Sequence, residues 1–303
     1  TYDKMRPMEP AEVAEIVGSA RLLKEGMKST IEDIVRVSQG LAGGNLRITP
    51  TAEYRGDFIQ IKQALETALS DLKQVIEDIV QVSQGLAEGQ QMMPKAEYRG
   101  DFVQIKIGLE TAATKLAEAM TRNATQDWLK TGQALLNEQL RGEQDVTTLA
   151  KNIITFLTPY VEAQVGVFYL LEKTTEGAQE SNCLKLIASY AYTQRKGLPT
   201  EVPVGEGLVG QAALEQQFIL VTDIPEDYIH IESGLGEAVP QNILVMPFLY
   251  ENAVKGVIEL GSFQGIRDLK IAFLQQVMPS IGIAVNTAES RTKMQALLQK
   301  VRG

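Results

Sequence analysis

The sequence has one cysteine, Cys183, and one histidine, His230, in 303 residues. A single cysteine cannot form an internal disulfide or a thiolate metal cluster, and this usage is typical of a reducing compartment. A single histidine excludes the usual histidine-rich catalytic metal sets. Since no nucleophile, base and orienting residue can be assembled, we expect a non-catalytic chain with no catalytic residue, no metal and no cofactor.

Long apolar runs and clusters of positive charge are also missing. No stretch reaches the roughly 18 consecutive apolar residues of a membrane span, and the first residues lack the apolar segment of a signal peptide. The 29 Lys and Arg are scattered and are outnumbered by 38 Asp and Glu, which argues against nucleic acid or anionic lipid as the main partner. We expect a cytoplasmic chain that makes no membrane contact of its own. This expectation is compatible with a membrane anchor upstream.

The N-terminal half contains two copies of one unit. The block IEDIVRVSQGLAGG at 31–44 returns as IEDIVQVSQGLAEG at 76–89, an offset of 45 residues. The block AEYRGDFIQIKQALETA from Ala52 returns as AEYRGDFVQIKIGLETA from Ala96, an offset of 44. The length change falls in the segment between the blocks, where Gly and Pro indicate a loop. Each unit therefore predicts helix, connector, helix.

An apolar seam runs from the second helix of the first unit into the next unit. Its positions alternate by three and four residues, the 3.5-residue period of a coiled coil. This predicts one continuous helix that pairs with a second copy in a parallel homodimer. The seam consists of Phe58, Ile61, Leu65, Ala68, Leu72, Val75, Ile79, Val82 and Leu86.

The same phase continues on both sides of this seam. From Val13 to Met27 it predicts that residues 1–30 are the end of a truncated preceding unit. Beyond Ala119 the phase meets Asn123 and Gln126, which predicts a stutter or a helix boundary there.

A plain coiled-coil spacer is the simplest interpretation of such periodicity. A spacer does not need a Gly- and Pro-bearing interruption at a fixed place in each unit. In these connectors Leu46 and Ile48, or Met92 and Met93, are available to plug between helices. The connectors therefore favour a more specialised unit.

The units resemble HAMP domains, which implies two parallel helices joined by an extended connector and a parallel four-helix bundle in a dimer. The resemblance depends on GLAGGNL at 40–46 and on Gly56-Asp57 and Gly100-Asp101 opening each second helix. A structural role would also explain the two aspartates, because a carboxylate at a helix N-terminus can cap free N–H groups and oppose the dipole.

The C-terminal half mixes helix and strand signals. An amphipathic helix from Val146 closes at Pro159. A turn at 251–253 has hairpin length, and a final helix from Ile271 leaves with coiled-coil-like spacing. Apolar segments predict strands at 165–172, 183–192, 218–223, 243–250 and 255–263.

The string GEGLVG at 205–210 matches the dinucleotide pattern GxGxxG, with Asp227 near the expected distance beyond it. That fingerprint needs a buried parallel strand directly before it, whereas two prolines, Pro199 and Pro203, occupy the preceding segment. We expect these glycines to shape a loop before a short helix at 208–215.

This order of helix, strand pair, GEGLVGQA, FILVTDIP, hairpin and exit helix resembles a GAF domain over roughly Asp145 to Ala288. The implied fold class is multidomain, α plus α/β: HAMP-like units in a dimer, then a GAF domain with a central antiparallel sheet flanked by helices. The implied order is HAMP-like units at 31–74 and 75–120, a connecting signalling helix at 121–144, the GAF domain at 145–288 and an exit helix at 289–303.

Some GAF domains bind a bilin through cysteine, but Cys183 starts a predicted strand and is not followed by histidine; the NKxxF signature of cyclic-nucleotide binders is also missing. These observations leave either an unassigned small-molecule ligand or no ligand. For His230, a structural or solvent-facing role in a loop is a simpler interpretation than ligand binding. For Glu259, a satisfied structural hydrogen bond is the simpler interpretation. The candidate ligand residues, on or beside the predicted sheet, are Phe168, Tyr190, Tyr192, Tyr228, His230, Met246 and Glu259.

HAMP-like units before a GAF domain resemble the regulatory half of bacterial sensor histidine kinases, particularly hybrid ones, and of some chemoreceptors or cyclases. We therefore expect a relay fragment that couples GAF state to an output domain in cis through helix repacking. The alternative is a constitutive dimerisation scaffold whose GAF domain contacts another protein. Phosphotransfer on His230 is not expected, because it lies in a predicted loop and Ile231 follows it.

Overall fold

The structure, a computed structural model, describes residues 8–176, 179–191, 200–222, 224–225, 231–233 and 236–302. They divide into two compact units, one ending at Arg122 and one starting at Asn123.

The first unit consists mostly of the long helices α1 (Pro10–Ala42) and α2 (Phe58–Ala87) and the first part of α3 (Phe102–Gln139). The single helix predicted across the two repeats is confirmed by α2. The helix boundary that the phase allowed near Asn123 is wrong, because α3 passes that point without a break. Within this unit, two of the seam side chains, Val75 and Val82, are buried; the others are partly buried or exposed.

Each connector is an extended strand-like segment whose alternate residues turn inward. Ile48 and Met92 lie at matched positions and pack on Gly40 and Gly85, where a Cβ atom would clash with their side chains. Ile48 and Met92, two of the residues predicted to plug between helices, thus pack against a helix of their own repeat. Met93, the other candidate in the second connector, is exposed.

The capping role considered for Asp57 is wrong. Its backbone is already helical, with φ −65° and ψ −19°, so its carboxylate makes no capping hydrogen bond; an N-cap needs an extended backbone. Glycine is required one residue earlier, since Gly56 and Gly100 have φ of +55° and +56°. Asp101 makes no side-chain hydrogen bond to the described residues either.

The second unit is an α/β domain whose six-stranded sheet has the order β3-β2-β1-β8-β7-β4, with every described pair antiparallel. The five predicted strands are confirmed. Three short strands were not predicted, since three residues carry too little pattern. The elements are α4 (Val146–Tyr160), β1 (Val165–Glu176), β2 (Gln179–Tyr190), β3 (Glu201–Pro203), α5 (Gly207–Glu215), β4 (Ile219–Thr222), β5 (Ile231–Ser233), β6 (Gly236–Ala238), β7 (Asn242–Tyr250), β8 (Ala253–Ser262) and α6 (Asp268–Arg302).

Two hydrophobic layers cover the sheet. Helices α4 and α6 pack on one face, around Phe168, Phe248 and Phe273, and α5 packs on the other. Because successive side chains of a strand point to opposite faces, Val167 and Phe168 belong to different layers. The α4/α6 layer is the larger one and holds the largest buried side chains.

The last turns of α3 belong to the core of the second unit. The Trp128 ring stacks on Tyr160 at 4.9 Å, and the Tyr160 hydroxyl donates to the Trp128 carbonyl at 2.6 Å. Leu136 is buried among residues of α4 and α6. The segment 121–144, predicted as a connecting helix, therefore contains part of the domain core, and its helix ends at Gln139.

Among the described helices, α6 is the one long and apolar enough to cross a membrane by length and composition alone. Half of its apolar window is buried inside the domain. Phe273, Leu274 and Ile281 in that window are fully buried, as expected of a core helix.

Gly132→Ala should destabilise the second unit, because the added Cβ would lie 2.5 Å from Tyr160 Cε1 and 2.6 Å from Phe273 Cε2. Overpacking of this kind typically lowers the free energy of unfolding by ~1–3 kcal/mol. The measurement is urea unfolding followed by the fluorescence of Trp128, the only tryptophan.

The matched control is Gly108→Ala in the same helix, where an added Cβ meets nothing within 4 Å. It should be neutral or stabilise the helix by up to about 1 kcal/mol, through helix propensity. Far-UV circular dichroism would follow both variants. Equal effects would contradict the close packing at Gly132.

Candidate functional site

The sheet face beneath α5 is the candidate site, because it holds a carboxyl among apolar side chains. Glu259 lies on the central strand β8, between Val167 of β1 and Val245 of β7 in the strand register. Both valines belong to the hydrophobic layer under α5. The Tyr169 hydroxyl donates to Glu259 Oε2 at a long 3.5 Å. The expected hydrogen bond is thus present but weak in geometry.

Burial raises the pKa of Glu259 to about 7, while the hydrogen bond from Tyr169 acts in the opposite direction. Among the described residues, no Lys or Arg forms an ion pair with this carboxyl. Near neutral pH both protonation states are therefore populated. A protonated carboxyl can donate a hydrogen bond and an ionised one can only accept, so this group can match either kind of ligand.

The glycines of GEGLVG place α5 over this face. Gly205 and Gly207 have φ of +93° and +60°, the left-handed region that favours glycine. The Gly205 N–H donates to the Gly210 carbonyl at 2.9 Å, which closes the loop on the first turn of α5. A Cβ at Gly210 would clash with the Pro203 carbonyl.

A dinucleotide site is inconsistent with this topology. The strand before the loop is β3, which pairs antiparallel with β2 at the edge of the sheet. The fingerprint requires a central parallel strand there. The glycines therefore shape a loop, as predicted.

The structure does not gather the candidate ligand residues into one pocket. Phe168 is fully buried against Phe248, with ring centroids 4.9 Å apart, and Met246 and Tyr190 pack in the same α4/α6 layer. Glu259 faces the opposite layer. Strand alternation therefore places Glu259 on the opposite face of the sheet from the other three candidates. Tyr192, Tyr228 and His230 lie outside the described residues, as does Asp227.

A groove that the sequence did not predict lies beside the edge strand β4. Its volume is about 400 Å³, and its lining combines apolar side chains with glutamines; none of the described lining residues is charged. Because the end of α5, β7 and α6 all contribute to it, no local pattern indicates it. The lining residues are Gln216, Gln217, Phe218, Met246, Pro247, Leu249, Gln275, Met278 and Pro279.

Comparison with known proteins gives a family match. A family model described as "GAF domain" matches residues 143–286. No match was found among curated proteins.

Solved GAF-fold structures resemble a little over half of the chain. One is the GAF domain of a phosphoenolpyruvate-protein phosphotransferase from Acinetobacter, with 16% identity over 56% of this chain and 98% of that chain and a TM-score of 0.41. Its counterpart from Coxiella burnetii has 15% identity over 55% and 96%, with a TM-score of 0.44. Free methionine-R-sulfoxide reductase from Neisseria meningitidis has 17% identity over 55% and 91%, with a TM-score of 0.39.

The matched residues contain α4, every described strand, α5 and the first half of α6. The antiparallel sheet with flanking helices in this segment fits a GAF domain. The segment 143–286 of the chain is a GAF domain.

Proposed function

We propose that the chain is a regulatory relay of a sensor protein. In this proposal the GAF domain responds to a signal, and the two repeats act as HAMP-like units of a cytoplasmic parallel homodimer. They pass the change to an output domain in cis, most simply that of a two-component histidine kinase. The chain itself is proposed to be non-catalytic.

One observation carries the proposal: α3 begins in the second repeat and ends inside the GAF core. The helix is continuous from Phe102 to Gln139. Trp128 and Leu136, near its end, pack among the core residues of α4 and α6. A shift in that core moves α3, and a continuous helix transmits displacement along its length. The test of coupling is a mutation scan of this helix with output activity as the readout.

The dimer is supported by an apolar face that the single chain leaves uncovered. Val13, Ile16, Leu23 and Met27 of α1 keep the seam spacing and are 45–64% exposed. Uncovered apolar surface of this extent marks an interaction site. A parallel second copy would bury it and continue the seam of α2.

The exposed face is wider than a two-stranded seam needs. Ile31 and Val35 are exposed beside the seam in the first repeat, and Ile76 and Val80 repeat them at an offset of 45 residues. A stripe more than two positions wide suits a bundle of several helices. Two chains with two helices per repeat supply four.

A constitutive scaffold is the second candidate, favoured by the uncharged groove at β4. Such a groove, lined by apolar side chains and glutamines, would seat a protein segment without any ligand signal. The scaffold predicts the same dimer but no dependence of output on the GAF domain. Glu259→Gln, measured by the output activity of the whole sensor, distinguishes the two functions. A relay predicts a change in output, and a scaffold predicts none.

Leu72→Cys in a Cys183→Ser background should crosslink rapidly between copies under oxidation. A parallel in-register dimer places each seam residue beside its own copy, within disulfide reach. Ser70→Cys in the same background is the matched control, because Ser70 is exposed on the opposite face of α2. Similar rates for both positions, or no crosslink at Leu72 with the helical signal intact, would rule out the symmetric dimer.

Glu259→Gln should remove a pH dependence of stability. The folded carboxyl has a pKa raised from 4.5 to about 7, so the folded state holds a proton that the unfolded state has lost. Stability of the parent protein therefore falls as pH rises through this window and is unaffected below it. Relative to the parent, the variant should gain roughly 3 kcal/mol between pH 4.5 and about pH 8.

Urea unfolding followed by Trp128 fluorescence at several pH values measures this difference. Glu215→Gln, at an exposed position of α5, is the control and should leave the profile nearly unchanged. A constant difference between Glu259→Gln and the parent across the range would show that the carboxyl does not titrate there.

A further inference from the structure

A buried carboxylate holds the first connector against α1. Asp33 Oδ2 accepts hydrogen bonds from the Thr51 N–H at 2.8 Å, the Ala52 N–H at 3.1 Å and the Tyr54 hydroxyl at 3.1 Å. These donors come from the end of the connector. We name this arrangement the first clasp. Since buried backbone N–H groups need partners, the clasp fixes where the connector lies on the helix.

The second repeat has a matching arrangement, the second clasp. Asp78 in α2 accepts from the Lys95 N–H at 3.0 Å, the Ala96 N–H at 3.1 Å and the Tyr98 hydroxyl at 2.9 Å. The aspartates are offset by 45 residues and their donors by 44. The two clasps therefore share one design.

The first clasp has a further component that the second lacks. Arg36 Nη2 donates to Asp33 Oδ1 at 2.6 Å and to the Thr49 carbonyl at 2.8 Å, so one guanidinium bonds the carboxylate and the connector together. The Thr51 hydroxyl also donates to Asp33, at 3.1 Å. Hydrogen bonds between charged partners are about twice as strong as neutral ones.

In the second repeat the matched positions are Gln81, Met93 and Lys95. Among the described residues, none of their side chains donates to Asp78, and Asp78 has no ion-pair partner. Asp78 is also less buried than Asp33, whose side chain is only 6% exposed. The second clasp is thus weaker and open to competing water.

The electrostatics of Asp33 agree with this difference. Burial by itself would raise the pKa of Asp33, but the Ala52 N–H and the Arg36 guanidinium outweigh it and hold that pKa well below its usual range. The ionised form, which only accepts hydrogen bonds, is therefore strongly favoured in the first clasp.

Apolar packing partly replaces the missing bonds in the second repeat. Val75 stands where the first repeat has Thr30, and it packs with Ala96 and Tyr98. The Thr30 hydroxyl instead donates to the Gly26 carbonyl of its own helix at 3.0 Å, and the Glu53 carbonyl lies at a longer 3.4 Å. Apolar contacts are non-directional, so they hold the second connector close without fixing its position along the helix.

We propose that the two repeats are unequal: the first connector stays locked on its helix, and the second connector is the one that detaches first. Within the relay, a role that rests on the proposed function, this makes the second repeat the switching unit and the first a rigid transmitter. The unequal release is a property of the chain itself and needs no ligand.

Amide hydrogen exchange of the whole chain, resolved by residue, tests the proposal. After correction for intrinsic rates, the Lys95 and Ala96 amides should exchange faster than those of Thr51 and Ala52. The expected ratio is about ten-fold or more, the factor that one charge-assisted hydrogen bond supplies.

Swapping the residues that differ between the two clasps should swap the amide exchange rates of the two connectors. Arg36→Gln should bring the first connector to the exchange rate of the second, and Gln81→Arg with Lys95→Thr should slow the second by a similar factor. Arg55→Gln is the matched control: Arg55 lies in the first connector, but its ion pair with Glu53 is exposed, so exchange at Thr51 and Ala52 should not change.

Equal protection of the two connectors, or no effect of Arg36→Gln while the fold is intact by circular dichroism, would overturn the proposal. Equal protection would mean that the apolar cluster of the second repeat compensates for the missing guanidinium. No effect of Arg36→Gln would mean that Arg36 does not strengthen the hold on the first connector. Exchange rates do not depend on any output domain. Failure of the relay appears in the Leu72 crosslink and in output activity, so the two failures are distinguishable.

Discussion

The close seat of α3 on Tyr160 and Phe273 is the contact on which the second unit depends. At Gly132 the helix backbone meets these two rings without an intervening side chain, and this lets Trp128 and Leu136 reach the core on either side. Dispersion and apolar burial then join α3, α4 and α6 in one layer. The layer that covers this face of the GAF sheet therefore includes the end of α3 beside α4 and α6.

The other half of the chain is organised by polar contacts. Its helices are amphipathic, and each connector must run beside a helix with its backbone N–H groups partly out of water. Asp33 and Asp78 satisfy those groups, while Gly40 and Gly85 make room for the plug side chains. One polar anchor and one glycine that a connector side chain packs on thus define each repeat, in which few large side chains are buried within one chain.

Strong periodic signals in the sequence predicted most of the fold. The unbroken heptad phase predicted α2, and β-branched runs predicted the five long strands. The short strands β3, β5 and β6 carry no such pattern, and the aromatic seat around Gly132 depends on residues far apart in the chain. Phe168 and Glu259 were grouped because both lie on the sheet, although their alternate positions on paired strands assign them to opposite faces. Asp33 was missed because an aspartate on a helix normally faces water; its repetition together with Tyr54 at matched offsets was the available signal.

The shorter second connector has a simple place in this scheme. The backbone N–H groups of Asn45 and Gln90 donate to the carbonyls of Gly40 and Gly85, respectively. Ile48 and Met92 pack on the same two glycines. Two residues lie between Asn45 and Ile48 in the first repeat, whereas one residue lies between Gln90 and Met92 in the second. Every anchor of a repeat therefore lies within that repeat, and the variable stretch lies between anchors. Such a unit can be duplicated or shortened by a residue without redesign of its neighbours, so evolution can set the length of the array independently of the sensor that it serves.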